Sequence, residues 1–317
     1  MIAYYSSLAM VTSAVLYTVA MVLHAAEWAS GRTVTVHQPE PATVAVGASS
    51  QDLPAASQPA QRPAASARLE IFGRAGVAIT VIAALSHIAG VVLRGVAANR
   101  APWGNMYEFI TSSLAVVVVV YLVLALRYGM RWLGLPVTLL LTIGQGLAVT
   151  VFWVQVAELM PALHSVWFRV HIGAAALAGA AFNIGGLAAI LYLIRSRAEE
   201  RGSVRGYLAR IPSAEALDRV SYRFNAFAFP LWTFTIAAGA IWAQDAWGRF
   251  WGWDPKETFS LVTWIIYAGY LHARATVGWK GRRAAVVAIV GLASFWFNFV
   301  GINLLTTGLH SYAGLPR

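Results

Sequence analysis

YEFITSSLAVVVVVYLVLAL, running from Tyr107 to Leu126, carries one charged side chain, Glu108, and that at its start. As a helix, about 20 residues cover about 30 Å, the thickness of a bilayer's hydrocarbon core. The apolar character is continuous rather than alternating, and lipid offers no partners to an open strand edge, so the run reads as a transmembrane helix. Outward from it, comparable runs occupy 4–26, 75–97, 132–153, 170–194, 226–246, 258–276 and 284–305. The expected fold class is therefore all-α, a polytopic membrane protein of about eight transmembrane helices. Composition agrees, because a chain of 317 residues that is 59% hydrophobic and 11% charged cannot clothe a soluble domain in a polar shell.

The formal charge of +10 reads as an orientation signal and an attraction to anionic lipid, so nucleic acid is not an expected partner. The chain has no Cys, which excludes disulfides, thiolate metal sites and a Cys nucleophile; any thiol chemistry must come from another protein. The run Met1–Ala26 lacks a basic leading segment and a clear small-residue cleavage site, and reads as a retained first span, residues 1–31. Residues 32–68 are rich in Ala, Pro, Gln and Ser and cannot build a core, so 32–73 is expected as a low-complexity cytoplasmic loop ahead of a membrane core over 74–317. The mixed segment 195–224, with seven Arg among Leu and Ile, has the pattern of an amphipathic surface helix, and its plainer reading, a solvated cytoplasmic connector, is the one expected.

Basic residues collect in alternate connections: Arg127 and Arg131, the seven from Arg195 to Arg223, and Arg274, Lys280, Arg282 and Arg283. With Arg32, Arg62, Arg68 and Arg74 this gives 17 of the 23 Lys and Arg on one side, against Arg94, Arg100, Arg169, Arg249, Lys256 and Arg317 on the other. The positive-inside rule makes the first side cytoplasmic and sends both termini outward.

The unusual residues are then on the outer side. The connection Trp242–Glu257 holds Trp242, Trp247, Phe250, Trp251 and Trp253, denser than an aromatic belt. Indoles interrupted by Gly248 and Gly252 can lay their faces on a flat apolar macrocycle such as haem; the plain alternative is an interfacial anchor. Asp254-Pro255 reads as a helix start, Asp as N-cap and Pro in the first turn. Haem iron takes imidazole, and among the seven His His171 and His310 lie near the outer face beside this segment, so the two can ligate one iron. His164 is also outside, in a loop. His272, within a span, can hold haem on the cytoplasmic side or simply snorkel beside Arg274. His87 can be its partner or a hydrogen-bonding group between helices. Arg249, Arg169, Arg100 and Lys256 are all available to haem propionates. Glu108, in Asn105-Met-Tyr107-Glu108, can cap its helix or orient an outer ligand.

These residues resemble the CcsA/ResC family of type II cytochrome c biogenesis, within the haem-handling proteins that carry a tryptophan-rich WWD segment. The resemblance runs from about Pro102 to Gly314. It rests on Asn105-Met-Tyr107-Glu108, on Pro161-Ala-Leu163-x-Ser165-x-Trp167-x-x-x-His171, on Trp242–Glu257 continuing to Tyr270-Leu-His272, and on Gly308-Leu-His310-Ser-Tyr312. It implies that His171 and His310 ligate haem b held for attachment at the outer WWD segment 242–257, and that His272 belongs to an inner haem site. The family pattern leaves the position of His164 free and does not cover His87.

The resemblance further implies a membrane subunit of the cytochrome c synthase, with a separate Ccs1/ResB-like membrane partner and apocytochrome c as protein substrate. Haem would pass from an inner to an outer site and be presented to a Cys-x-x-Cys-His segment, whose thiols form thioethers with the vinyl groups. Enzymatic action would belong to the synthase complex, with no nucleophile from this chain; Trp242, Trp247, Trp251, Trp253, Asp254 and Arg249 would shape the haem site. A haem exporter or a haem-delivery chaperone without attachment chemistry is the alternative, and a thiol-reducing protein is a further candidate partner. The Ala-, Val- and Arg-rich usage points to a bacterial plasma membrane rather than a thylakoid membrane.

Overall fold

The computed structural model describes residues 1–30 and 64–310, and among these it contains helices, turns and coil but no strand. The helices are α1 (Ile2–Ser30), α2 (Ala64–Ala98), α3 (Met106–Arg127), α4 (Gly134–Thr150), α5 (Val166–Glu200), α6 (Ala214–Trp247), α7 (Pro255–Thr276) and α8 (Arg282–Trp296). A π turn, Phe297–Gly301, and a last helical turn, Ile302–Leu305, prolong α8. Each expected apolar run is a helix. Seven helices, counting α8 with its extension, are long and apolar enough to cross a membrane. The remaining one, α7, has 22 residues but includes Lys256, Glu257, His272 and Arg274, so its length is right and its hydropathy is not.

The segment 195–224 is a connector between two long helices rather than a separate surface helix: α5 runs on to Glu200, a single 3-10 turn covers Gly206–Ala209, and α6 starts at Ala214. The apolar run marks where lipid ends, whereas the helices continue into water on local support. Arg195 pairs with Glu199 one turn on, and Ser213 accepts the Ala216 N–H as an N-cap. One expectation changes: α2 begins at Ala64, inside the stretch 32–73 read as a low-complexity loop, of which 32–63 lies outside the described residues.

The long neighbours α1 and α2 pack along each other, as do α5 and α6, while α3 bridges the two halves through α2, α4 and α5. One core joins α1–α5 around Tyr17, Tyr121, Leu141 and Ile184; a second joins α5–α8 around Phe182, Trp232, Tyr267 and Phe295. Helix α5 belongs to both because its Ala- and Gly-rich faces admit close neighbours: a Cβ on Gly179 would stand 2.7 Å from the Phe295 ring. In lipid, such packing of small residues replaces the hydrophobic drive between helices.

The connections 99–105, 151–165 and 248–254 and the turn after Leu305 gather at one end of the bundle. A buried ion-pair knot fastens the first two. Glu108, capped into α3 by Asn105, takes Arg94 Nε at 2.9 Å and Arg100 Nη1 at 2.7 Å. The same two guanidinium groups donate to the carbonyls of Val154 and Ala157. Glu108 is thus neither only a cap nor a ligand-facing acid.

Candidate functional site: an aromatic cavity between two oriented imidazoles

The Trp-rich connection is shaped by its two flanking helix ends. Helix α6 stops where Gly248 adopts the left-handed conformation, φ 70°, and its N–H returns to the Gln244 carbonyl. Helix α7 starts on Asp254 with Pro255 in its first turn, and a capping box pairs Asp254 with Glu257. The expected helix start is therefore present. Between these ends Arg249 reaches Glu257 at 2.9 Å and lies over the Trp247 ring.

Trp242, on the last turns of α6, is the hub. It is buried, its indole N–H donates to the Ala162 carbonyl at 2.7 Å, and Phe168 packs against it. The His171 ring lies nearly parallel to it, centroids 5.8 Å apart at 24°, and the His310 ring meets it edge-on at 5.6 Å. Trp247 stands edge-on to His310 at 4.8 Å. The two histidines, 139 positions apart in the chain, thus share one indole.

Each imidazole is oriented through Nδ1. His171 Nδ1 donates to the Thr235 carbonyl of α6 at 2.8 Å. That approach needs Gly239 one turn on, since a Cβ there would stand 2.7 Å from His171 Nδ1. His310 Nδ1 donates to Asp254 Oδ2 at 2.9 Å, and Asp254 Oδ1 accepts the Leu309 N–H at 2.8 Å. In both rings the proton on Nδ1 puts the lone pair on Nε2, the tautomer in which an imidazole binds a metal.

The charges follow. Burial would raise the Asp254 carboxyl, but the hydrogen bonds from His310, Leu309 and Lys256 outweigh it and bring the carboxyl down to about 2. His310 is pushed below the usual imidazole range, chiefly by burial and against the pull of Asp254. It is neutral at pH 7, as a ligand must be.

His171, His310, Trp242 and Trp251 line one cavity, which continues between α3, α5, α6 and the π turn over mostly apolar side chains. The residues suit haem: two imidazoles with Nδ1 engaged, a flat aromatic wall and an apolar interior match an iron already held by a macrocycle. Among the described residues no group of three or more His, Asp or Glu could hold a bare metal ion.

Not every residue singled out from sequence converges here. Trp253 is 68% exposed and turns outward against Trp251 with a left-handed backbone, φ 58°. Asp254 and Arg249 support the site without lining it. His164 is exposed beside its 3-10 turn. His87 and His272 are not brought together: His87 is sealed in α2, where Nδ1 meets the Tyr17 hydroxyl at 3.1 Å, while His272 is exposed on α7, which packs on α6 and α8. Sequence reasoning missed Thr235 and Gly239. A carbonyl that holds an imidazole leaves no mark in the sequence, and a helical glycine could have suggested only a close approach.

Fold and site together define a multi-pass helical membrane protein with a histidine-flanked aromatic cavity at one end of its bundle. The family model described as cytochrome C assembly protein matches residues 78–310, and the chain belongs to that family. A cytochrome c biogenesis protein CcsA of Gloeobacter violaceus is 33% identical over 304 residues, covering 80% of this chain and 90% of the relative. One of Guillardia theta is 34% identical over 258 residues, covering 76% and 86%, and one of Microcystis aeruginosa is 35% identical over 288 residues, covering 76% and 87%. Among solved structures, the cytochrome c heme lyase CcmF superposes with a TM-score of 0.66 over 98% of this chain at 13% identity, a likeness of fold. The chain spans 48% of that lyase.

Proposed function

We propose that this protein is the membrane subunit of a cytochrome c synthase and holds haem b between His171 and His310. One observation carries the reading: two imidazoles, each fixed through Nδ1 by an oxygen of the fold, line the same Trp-walled cavity. By the positive-inside rule this end of the bundle and both termini are read as facing outward, in this proposal from a bacterial plasma membrane, with apocytochrome c as the protein substrate. Each substrate thiol adds across a vinyl C=C, sulfur bonding to one carbon and the thiol hydrogen ending on the other, so the addition consumes no oxidant. The substrate His takes the place of one of the two chain ligands. This protein's contribution is position: haem held in one orientation while the thiols arrive, a restriction that can supply a large share of a barrier. A Ccs1/ResB-like partner completes the assembly.

The test is an absorption spectrum of the detergent-purified protein, expressed with that partner, before and after replacing His171 and His310 together by Gly. A reduced bis-imidazole spectrum that is lost in the double variant and partly restored by added imidazole supports the reading. Absence of haem from the intact unaltered protein sinks it. His272 carries a second element of the proposal, an inner stop for haem, because an ionisable side chain within a membrane helix is costly to keep. Haem loading that falls in His272→Ala while insertion is unchanged supports that stop, and normal loading removes it. His87, closed in by α1 and α3, suits a brace between helices.

A further inference from the structure

The cavity lining is mostly apolar, and among its described residues Lys256 is the only Lys or Arg. The other cations named from sequence for the propionates are committed or face away. Arg249 is paired with Glu257, Arg100 with Glu108, and Arg169 is exposed. The carboxylates beside Lys256 are equally engaged. Asp254 accepts from His310, from the Leu309 N–H and from the backbone N–H of Lys256 itself. Glu257 accepts from Arg249 and from the N–H groups of Gly252 and Asp254. Among the described residues no hydrogen bond or ion pair reaches the Lys256 ammonium.

This is an unfavourable berth for a cation. Lys256 lies in the first turn of α7, at the positive end of the helix dipole, where a carboxylate is favoured and an ammonium is not. The cavity wall it shares is chiefly indoles, phenyl rings and aliphatic side chains, with two imidazoles whose Nδ1 atoms are already engaged and the neutral polar groups of Ser260, Asn298 and Asn303. A half-buried ammonium with no direct ion-pair partner is poorly compensated, and a ligand that brings a carboxylate to it gains a charge-assisted pair.

We infer that Lys256 is the seat for a carboxylate of the ligand, pairing through Nζ with one propionate of the haem that His171 and His310 hold. The inference rests on the haem-holding reading and adds to it a sense of direction. In haem b the propionates occupy one half of the macrocycle and the vinyl groups the other, so a propionate at the start of α7 turns the reactive vinyl half away from that helix.

The experiment compares haem with its dimethyl ester, which has the same ring and iron but no carboxylate. Both are titrated into the detergent-purified full chain with its partner and followed by the Soret band, for the unaltered protein, Lys256→Gln and Lys256→Arg. The unaltered protein is expected to favour the diacid by about tenfold or more, as a charge-assisted pair in an apolar site would give. Lys256→Gln binds both forms alike, at the affinity the unaltered protein shows for the ester, and Lys256→Arg keeps the preference. A Gln variant that still discriminates, or an unaltered protein that binds both forms equally, overturns the inference while leaving the haem site standing. If the unaltered folded protein binds neither porphyrin, the haem reading falls and this inference with it. Should the Gln variant bind neither, the Arg variant decides: preference retained supports the pairing, and preference lost overturns it.

Discussion

Replacing Asp254 by Asn isolates the link between the WWD segment and the His310 ring. Three donors converge on this carboxylate: the Leu309 N–H on Oδ1, and the Lys256 N–H and His310 Nδ1 on Oδ2. Asn is as good an N-cap as Asp, so α7 keeps its start. The amide, however, offers one acceptor oxygen where the carboxylate offers two. If that oxygen takes the Oδ2 position, the NH2 group faces the Leu309 N–H and the turn carrying His310 loses its anchor. If it takes the Oδ1 position, the NH2 group faces His310 Nδ1 and drives the ring proton to Nε2, the nitrogen that would meet iron. Either way one hydrogen bond to a charged group is lost within a buried cluster, about 1.5–3 kcal/mol. At about 1.4 kcal/mol per decade this predicts haem affinity weaker by about 10- to 100-fold. The assay is haem titration of the purified protein followed by the Soret band, with circular dichroism to establish that helix content is unchanged. An Asn variant that binds haem within about twofold of the unaltered protein, less than about 0.5 kcal/mol, would show that His310 is not held by this carboxylate.

Gly239→Ala should displace the His171 ring, whose Nδ1 would lie 2.7 Å from the new methyl carbon. A strained insertion of this kind costs about 1–3 kcal/mol and should appear as weaker haem binding, whereas Gly146→Ala and Gly269→Ala, where a Cβ meets nothing within 4 Å, should leave binding unchanged; equal behaviour of all three would refute the close approach. Glu108→Gln leaves Arg94 and Arg100 buried without their counter-charge, and loss of one partner from a buried pair costs about 3–5 kcal/mol. A thermal unfolding midpoint in detergent equal to that of the unaltered protein would show that the knot does not hold the 99–105 and 151–165 connections.

Much of this architecture was legible because the bilayer imposes a coarse rule that single residues obey visibly. Every apolar run of bilayer length is a helix, and Asp254-Pro255 announced the start of α7 through cap chemistry that acts over three residues. The placing of His171 and His310 on one side followed from counting basic residues, and both rings do meet Trp242. What sequence could not supply were relations between helices. Nothing in the spacing says that Arg94 and Arg100 converge on Glu108, that α6 lends the Thr235 carbonyl to His171, or that His87 faces Tyr17 rather than His272. The reach of α5 to Glu200 was hidden for a related reason: hydropathy reports contact with lipid, and the ends of α5 and α6 are fixed instead by an ion pair and a serine cap.

The bond between His171 and Thr235 also has a mechanical meaning. Helices α5 and α6 are joined covalently through residues 201–213 at one end and by this hydrogen bond towards the other, so the hairpin is a closed frame. At 35 and 34 residues the two helices measure about 52 Å and 51 Å, some 20 Å more than a hydrocarbon core of about 30 Å. The helices therefore reach beyond the lipid, and sliding one rod past the other by a single residue, about 1.5 Å, would stretch a contact of 2.8 Å to about 3.2 Å, the long limit of an N–H···O hydrogen bond. Helix register and imidazole orientation are thus one mechanical variable, and a force applied at the Arg-rich turn is felt at the ring.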